Sequence, residues 1–300
     1  MTRKQDSKSA HFRHQRELKR DQAHAITHWV VTGFVLLVLL YIIGYTFAAG
    51  FKNLSLNFFI SSDFDRGIAP QLFNTFYILV LSMIPMLLIG ISAAVYIVEY
   101  AKQGTMLKIL RFATETLSSV PSVIIGLLGF LLFVTNFGQG PRWEFSRLAG
   151  ALTLAILNLP WMMRTAEDAL RAVPSSLREA SYALGATKLQ TIFRTVLPAS
   201  IPGLMTGALI VSGRVIGETA ALIYTTGEAS SANGWANFSL THVPGDTLAV
   251  HIYTLFADNP TPAAQQGQTA TAVVLIALVL GVNLLGRFFE RRLTKRFSGE

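Results

Sequence analysis

Apolar residues gather into six long runs, at about 29–49, 71–98, 112–137, 148–163, 201–225 and 269–289. A helix needs about 20 mainly apolar residues to cross the hydrocarbon of a bilayer. The pattern therefore predicts an all-α membrane protein with six transmembrane helices. The fourth run is short if charged residues are left out, and is expected to continue past Arg164. The first run is too long for the apolar region of a signal peptide and lacks a convincing cleavage site, which predicts an uncleaved anchor. The chain divides into a tail at 1–28, a first helix with an external loop at 29–69, and a membrane domain at 70–295. Within that domain lies a polar loop at 164–198.

The loop carries more order than a simple connection needs. Ser176 and Glu179 have the S-x-x-E spacing of a capping box. Leu177, Ala180, Ser181 and Leu184 follow at i, i+3, i+4, i+7 and share one helical face. Gly185 can adopt the left-handed conformation that ends a helix. Leu189, Ile192, Phe193 and Val196 form a second stripe, limited by Pro198. Two short helices are expected to meet at Gly185. Their apolar face suits docking onto a partner. A helix lying on the lipid interface is the alternative, though such helices are usually rich in Lys and Arg on the polar face, and this one has mixed charge.

Composition agrees with the span count. Of 300 residues, 51% are hydrophobic and 14% charged, against about 25% charged in soluble domains; the mean hydropathy is +0.45. There is no cysteine, hence no disulfide, thiolate metal site or Cys nucleophile. His242 and His251 stand too far apart, with no tight His/Asp spacing, to suggest a metal site.

The net charge of +8 is distributed by side. Seven Lys and Arg lie in the N-terminal tail; Lys102, Lys108 and Arg111 follow the second run. Arg164, Arg171, Arg178, Lys188 and Arg194 follow the fourth, and Arg287, Arg291, Arg292, Lys295 and Arg296 close the chain. The opposite side has Lys52, Arg66, Arg142 and Arg147. The positive-inside rule then puts both termini and the 164–198 loop in the cytoplasm. The basic tail fixes orientation and touches anionic lipid, with no nucleic-acid partner expected. The external segment at about 226–268 has no Lys or Arg and carries an amphipathic patch at 248–256. It reads as a cover for the outer mouth, as a contact for an external binding protein, or as a solvated loop with one interfacial helix.

Inside the fifth run lie Arg214 and Glu218, spaced to share a helix face. A charge at mid-bilayer costs on the order of 2.5–3.5 kcal/mol, so the pair should face a bundle interior or an aqueous path. Gly213 and Gly217 form a small-xxx-small pattern that lets another helix approach. An anion route, with the Arg fork suited to an oxyanion, and a structural ion pair are both open from chemistry alone. Pro85 and Pro121, with Gly90, Gly126 and Gly129, add helix breakers.

The 179–198 stretch resembles the EAA loop of ABC importer permeases, E-A-A-x3-G-x9-I-x-L-P. Glu179, Ala180, Gly185, Leu197 and Pro198 match at the right spacing, with Ser181 and Thr195 as departures. The RVIGETAAL stretch at 214–222 is similar to R-x-x-G-E-T-A-P-L of phosphate ABC permeases, with Ala221 in place of Pro. Related sulfate and molybdate permeases tend to have G-E-F there, which makes Thr219 the discriminating residue. AAVYIVEYAK, SSVPSVIIGLLGF and ALTLAILNLPWMMRTAEDALRAVP fit the same family, over roughly 70–295.

The resemblance implies the type I importer permease fold in a bacterial plasma membrane, as the A-type half of a two-permease channel. The implied partners are a C-type phosphate permease, an ATPase dimer, a phosphate-binding protein and the lipid bilayer. Arg214, Glu218 and Thr219 would line or gate the path; the EAA-like residues would couple to the ATPase. The resemblance implies no cofactor on this chain, since ATP and Mg are used by the ATPase. The sequence lacks a Walker A motif: Gly281 and Gly286 have the glycine spacing, but Arg287 and Phe288 follow, within the last apolar run. Nor is there a nucleophile elbow or H-E-x-x-H pair, so no enzyme is expected. A same-fold sulfate or molybdate permease is the alternative. An ion-gradient transporter would predict ionisable relays in several spans and no EAA-like loop.

Overall fold

The computed structural model describes residues 2–102, 104–135, 143–228, 238–257 and 261–297, with side chains described from 25 to 292. The described residues contain no β-strand. A long helix α1 (Thr2–Gly50) leads through a 3-10 turn and short α2 (Leu56–Ile60) to α3 (Ala69–Val95). Next come α4 (Thr105–Ser119), α5 (Ser122–Gly129), α6 (Arg147–Arg171), α7 (Ser175–Ala183) and α8 (Lys188–Thr191). The last four are α9 (Leu197–Ile216), α10 (Ala220–Thr226), α11 (Leu248–Ala257) and α12 (Pro262–Phe297).

Helix α6 is the central post, packed against α3, α5, α9 and α10. Met86, Leu154, Met162, Leu170, Val196, Leu222 and Val250 are fully buried around it. Small residues let the neighbours close in. A methyl added at Gly207 would lie 2.6 Å from Thr165 Oγ1, and one at Gly203 would lie 2.7 Å from Ala169 Cβ. This G-x-x-x-G stripe of α9, one turn apart on one face, is the close helix seam. At Gly213 and Gly217 the contacts within the chain are looser: the nearest outside atom to Gly213 is Asn283 Nδ2 of α12 at 3.6 Å, and Gly217 meets the carbonyls of Gly213 and Arg214.

Among the described residues, four helical stretches are long and apolar enough to cross a membrane: Ala25–Asn53, Ala69–Tyr100, Lys188–Ile216 and Pro262–Arg292. A fifth arises if Thr105–Ser119 and Ser122–Val134 count as one span bent by 98°. The expected third run is thus not straight. Val120 precedes Pro121 and is driven into an extended conformation (φ −69, ψ 130), which breaks the helix. The fourth run does continue past Arg164, to Arg171, giving 25 helical residues. The fifth run is also two pieces: α9 ends at Ile216 and α10 starts at Ala220. Pro198 does not end a helix as expected. A π-helical turn at Ile192–Val196 carries the chain into α9, with Leu197 N–H donating to Ile192 O. Because Pro198 has no N–H to donate and its ring crowds the preceding turn, the wider turn accommodates it without a break.

At the other end of α6 lies a buried polar knot. Arg147 is only 1% exposed; its Nε donates to Asn74 Oδ1 at 2.7 Å and its Nη1 to Ser239 O at 3.1 Å. Asn74 Nδ2 donates to Asp246 O, and Gln71 Nε2 to Asp246 Oδ2, both at 3.0 Å. His251 Nδ1 stands 3.7 Å from Asp246 Oδ2. The knot ties α3, α6 and α11 together, so the 248–256 patch is not an interfacial helix: Leu248, Val250, His251 and Leu255 are buried in the bundle. Within the described part of 226–268, the segment is therefore partly structural; residues 229–237 and 258–260 lie outside the described residues. No group of His, Asp or Glu among the described residues could hold a metal ion.

Candidate functional site: a charged cleft and a jointed loop

The end of α6 that carries Arg171 borders a cleft of about 510 Å³. Its walls include Trp161, Arg164, Glu167, Asp168 and Arg171 of α6, with Arg111, Glu115 and Ser118 of α4, so arginines and carboxylates are equal in number. Glu167 Oε1 accepts from Arg111 Nη2 at 3.0 Å and Arg171 Nη2 at 2.8 Å, which fastens α4 to α6. Arg214, near the end of α9, lays its guanidinium over the Trp161 ring, 4.9 Å from the centroid. A cation over an indole face is favourable by about 0.5–1 kcal/mol at an exposed site.

Arg214 and Glu218 do not share a helix face, contrary to expectation. The helix ends at Ile216, and Glu218 falls in the break before α10. Among the described residues no ion pair joins them. Glu218 Oε1 instead accepts from Ala221 N–H at 3.4 Å, at the start of α10, and Thr219 Oγ1 lies 3.5 Å from Gly217 O. A carboxylate suits the orphan N–H groups and positive dipole of a helix start. So three expected path residues are neighbours at one break, but only Arg214 reaches the wall of the cleft. Trp161 and Arg164 were not singled out from sequence. The available signal was their i, i+3 spacing in LPWMMRTAED, on a run otherwise read for hydropathy.

The loop after α6 folds as two short helices with Gly185 between them, at φ +82. Only glycine takes that conformation without a Cβ penalty. The capping box is not the expected one. Helix α7 begins at Ser175 after Pro174, with no side-chain cap, so Ser176 already lies in the first turn. The box sits on the second helix, where Thr187 and Gln190 satisfy each other's backbone N–H groups. Ser181 and Thr191 hydroxyls meet at 2.9 Å and hold the two helices together. Of the second stripe, Ile192 and Val196 are buried in the bundle. Leu189 and Phe193 remain exposed, as do Leu177 and Leu184, the last at 89%. Glu179, Ala180 and Gly185 are exposed too, while Leu197 and Pro198 are half-buried at the start of α9.

The chain as a whole resembles known proteins. Residues 86–298 match the family model of the binding-protein-dependent transport system inner membrane component. The chain is 38% identical over 240 residues to a probable ABC transporter permease protein, YqgI, of Bacillus subtilis, covering 77% of this chain and 80% of that one. It is 33% identical over 291 residues to the phosphate transport system permease protein PstA of Mycobacterium leprae, covering 94% and 92%. In fold it is similar to a chain of a bacterial ABC transporter involved in alginate import, with TM-score 0.63 and 17% identity over 94% of this chain and 100% of that one. The inward-facing MetNI methionine ABC transporter gives TM-score 0.57 at 21% identity, over 74% and 93%. The α6-centred bundle, the jointed loop and this family match together make the chain a member of the binding-protein-dependent transport system inner membrane component family, the membrane permeases of ABC transporters.

Proposed function

We infer that this chain is the membrane permease subunit of an ATP-driven inorganic phosphate importer and forms half of its translocation path. The observation that carries the substrate is the near end-to-end likeness to the Mycobacterium leprae phosphate permease. The cleft beside Arg214 supports it chemically, since a planar guanidinium matches the oxygens of a tetrahedral oxyanion. The chain is a transport subunit, and ATP hydrolysis belongs to a separate subunit. Its partners are a second, C-type permease, an ATPase dimer and a phosphate-binding protein, in a bacterial plasma membrane.

The mechanism links the loop that follows α6 to the cleft beside the same end of that helix. Closure of the ATPases on ATP moves α7 and α8 through their exposed apolar residues, with Glu179 and Ala180 facing the partner and Gly185 setting the angle between the helices. Leu197 and Pro198 carry that movement into α9, which bears Arg214. The two permeases then rock so that the path opens outward to the binding protein. Arg214 attracts the anion along the route; Glu218 and Thr219 hold the break beside it.

This reading keeps six spans with both termini in the cytoplasm. Helix α6 is the sixth: at 25 residues it reaches about 37 Å. Neighbours cover it on several sides, so it needs less apolar surface than a lipid-facing helix. Radiolabelled phosphate uptake, in cells lacking other phosphate importers and supplied with the partner subunits, tests the reading. Uptake that Arg214→Ala abolishes is the expected result. Uptake competed by sulfate or molybdate rather than phosphate would overturn the substrate.

A further inference from the structure

Helix α7 has nine residues and buries none of them. A helix this short is not stable alone in water and normally borrows its stability from a packed face. Here that face is missing, so something else must fix α7 to the bundle. Besides the Ser181–Thr191 contact with α8, the attachment is Arg178. Its Nη1 donates to Val173 O at 2.7 Å, just past the end of α6, and its Nη2 to Leu170 O at 2.9 Å, in the last turn of that helix. Its Nε donates to Glu99 Oε1 at 3.1 Å, and Nη2 stands 3.0 Å from the same oxygen.

Glu99 lies in the π-helical turn Tyr96–Tyr100 that ends the α3 span. One guanidinium thus joins α7, α6 and the end of α3. Helix α8 reaches the same turn: Lys188 Nζ sits 4.6 Å above the Tyr100 ring. The Arg178 and Glu99 side chains are 18% and 8% exposed, so water screens the pair little. An ion pair withdrawn from water adds little net stability compared with apolar packing. What it adds is direction, because the planar fork holds only when its partners keep their angles.

We propose that Arg178 and Glu99 are positioning residues that transmit the displacement of α7 to α3 and α6. This rests on the reading of α7 as the ATPase-facing helix. The outward side of α7 meets the partner, and the inward side, through Arg178, moves two spans together. Neither residue touches the transported anion.

The test uses the whole transporter, with both permeases, the ATPases and the binding protein, in proteoliposomes. Basal ATP hydrolysis and phosphate transported per ATP are measured for wild type, Glu99→Gln, Glu99→Asp and Arg178→Lys. Glu99→Gln removes the charge partner but leaves Arg178 its two carbonyls, so a mere cap on α6 would survive it. The expected result is an intact complex with near-normal basal hydrolysis, and phosphate moved per ATP lower by about tenfold in Glu99→Gln and Arg178→Lys, the scale of one lost charged hydrogen bond. Glu99→Asp should recover part of it. An unchanged ratio in Glu99→Gln and Arg178→Lys would overturn the proposal. Loss of the ATPase from the purified complex would also overturn it, by showing that the pair shapes the docking surface. A wild-type complex that binds no ATPase would instead overturn the underlying reading of α7. One that carries another oxyanion would overturn the substrate alone, and the ratio would then be read with that anion.

Discussion

The guanidinium of Arg214 rests on Trp161 at 4.9 Å, and the two residues come from different helices. Sequence spacing suggested Glu218 as the partner, since four residues make one helical turn. Gly217 and the residues after it leave the helix, and the spacing loses its meaning there. The stacked arrangement predicts unequal losses. Arg214→Ala removes the charge and should abolish uptake in cells. Trp161→Leu removes only the support, about 0.5–1 kcal/mol at an exposed site, so uptake should fall a fewfold with the substrate preference kept. Equal losses would show that Trp161 does more than orient the arginine.

Helix pairs are decided by which small residues face a neighbour. Gly203 and Gly207 let α9 approach α6, with an added Cβ at Gly207 falling 2.8 Å from Thr165 Cβ. Gly207→Val should destabilise the detergent-solubilised protein by about 1–3 kcal/mol, the usual cost of overpacking, and lower its thermal midpoint. Gly213→Ala should not, because the nearest outside atom is an ordinary contact away at 3.6 Å. Gly185 belongs to this scale as well. Its space is open, but at φ +82 a side chain is strained. Gly185→Val should cost about 1–2 kcal/mol locally and shift α7 against α8. The expected readout is a membrane-inserted protein whose transport-coupled ATP hydrolysis is impaired. Normal coupling would remove Gly185 from the joint.

For the whole molecule the open quantity is topology. Among the described residues four stretches, or five with the bent pair, pass as spans on length and apolarity, while charge asymmetry asks for an even number. In the proposed reading helix α6 makes up the difference, as a shielded span: Thr153 and Asn158 are buried within it, hydrogen-bonded to the carbonyls of Ala149 and Leu154. The chain has no cysteine, so single Cys residues introduced one at a time report their side directly. Cys at Ser7 and Ser298 should react with an impermeant thiol reagent only after the membrane is opened. Cys at Thr241 should react in intact spheroplasts. Labelling of Ser7 and Ser298 from opposite sides would show an odd number of crossings.

Several features were set by the sequence alone. Long apolar runs leave no soluble fold available, because their backbone groups must be satisfied within a helix in lipid. The Lys and Arg distribution predicts their orientation, and Gly185 marks a joint that few other residues could form. Pro121 announces a break. The rest depended on contacts between distant residues. Hydropathy could not tell a bent pair from a straight span, nor a proline that breaks a helix at Pro121 from one absorbed by a π turn at Pro198, because neighbouring helices decide whether freed backbone groups find partners. Arg147 counted as an external charge in the sequence, yet Asn74 and Ser239 bury it in a knot with Asp246. Arg178 and Glu99 read as ordinary cytoplasmic charges, and only the folded arrangement of α3, α6 and α7 brings them together. Local pattern fixes what each segment can be; which polar groups meet, and so what the molecule can transmit, is settled by the packing.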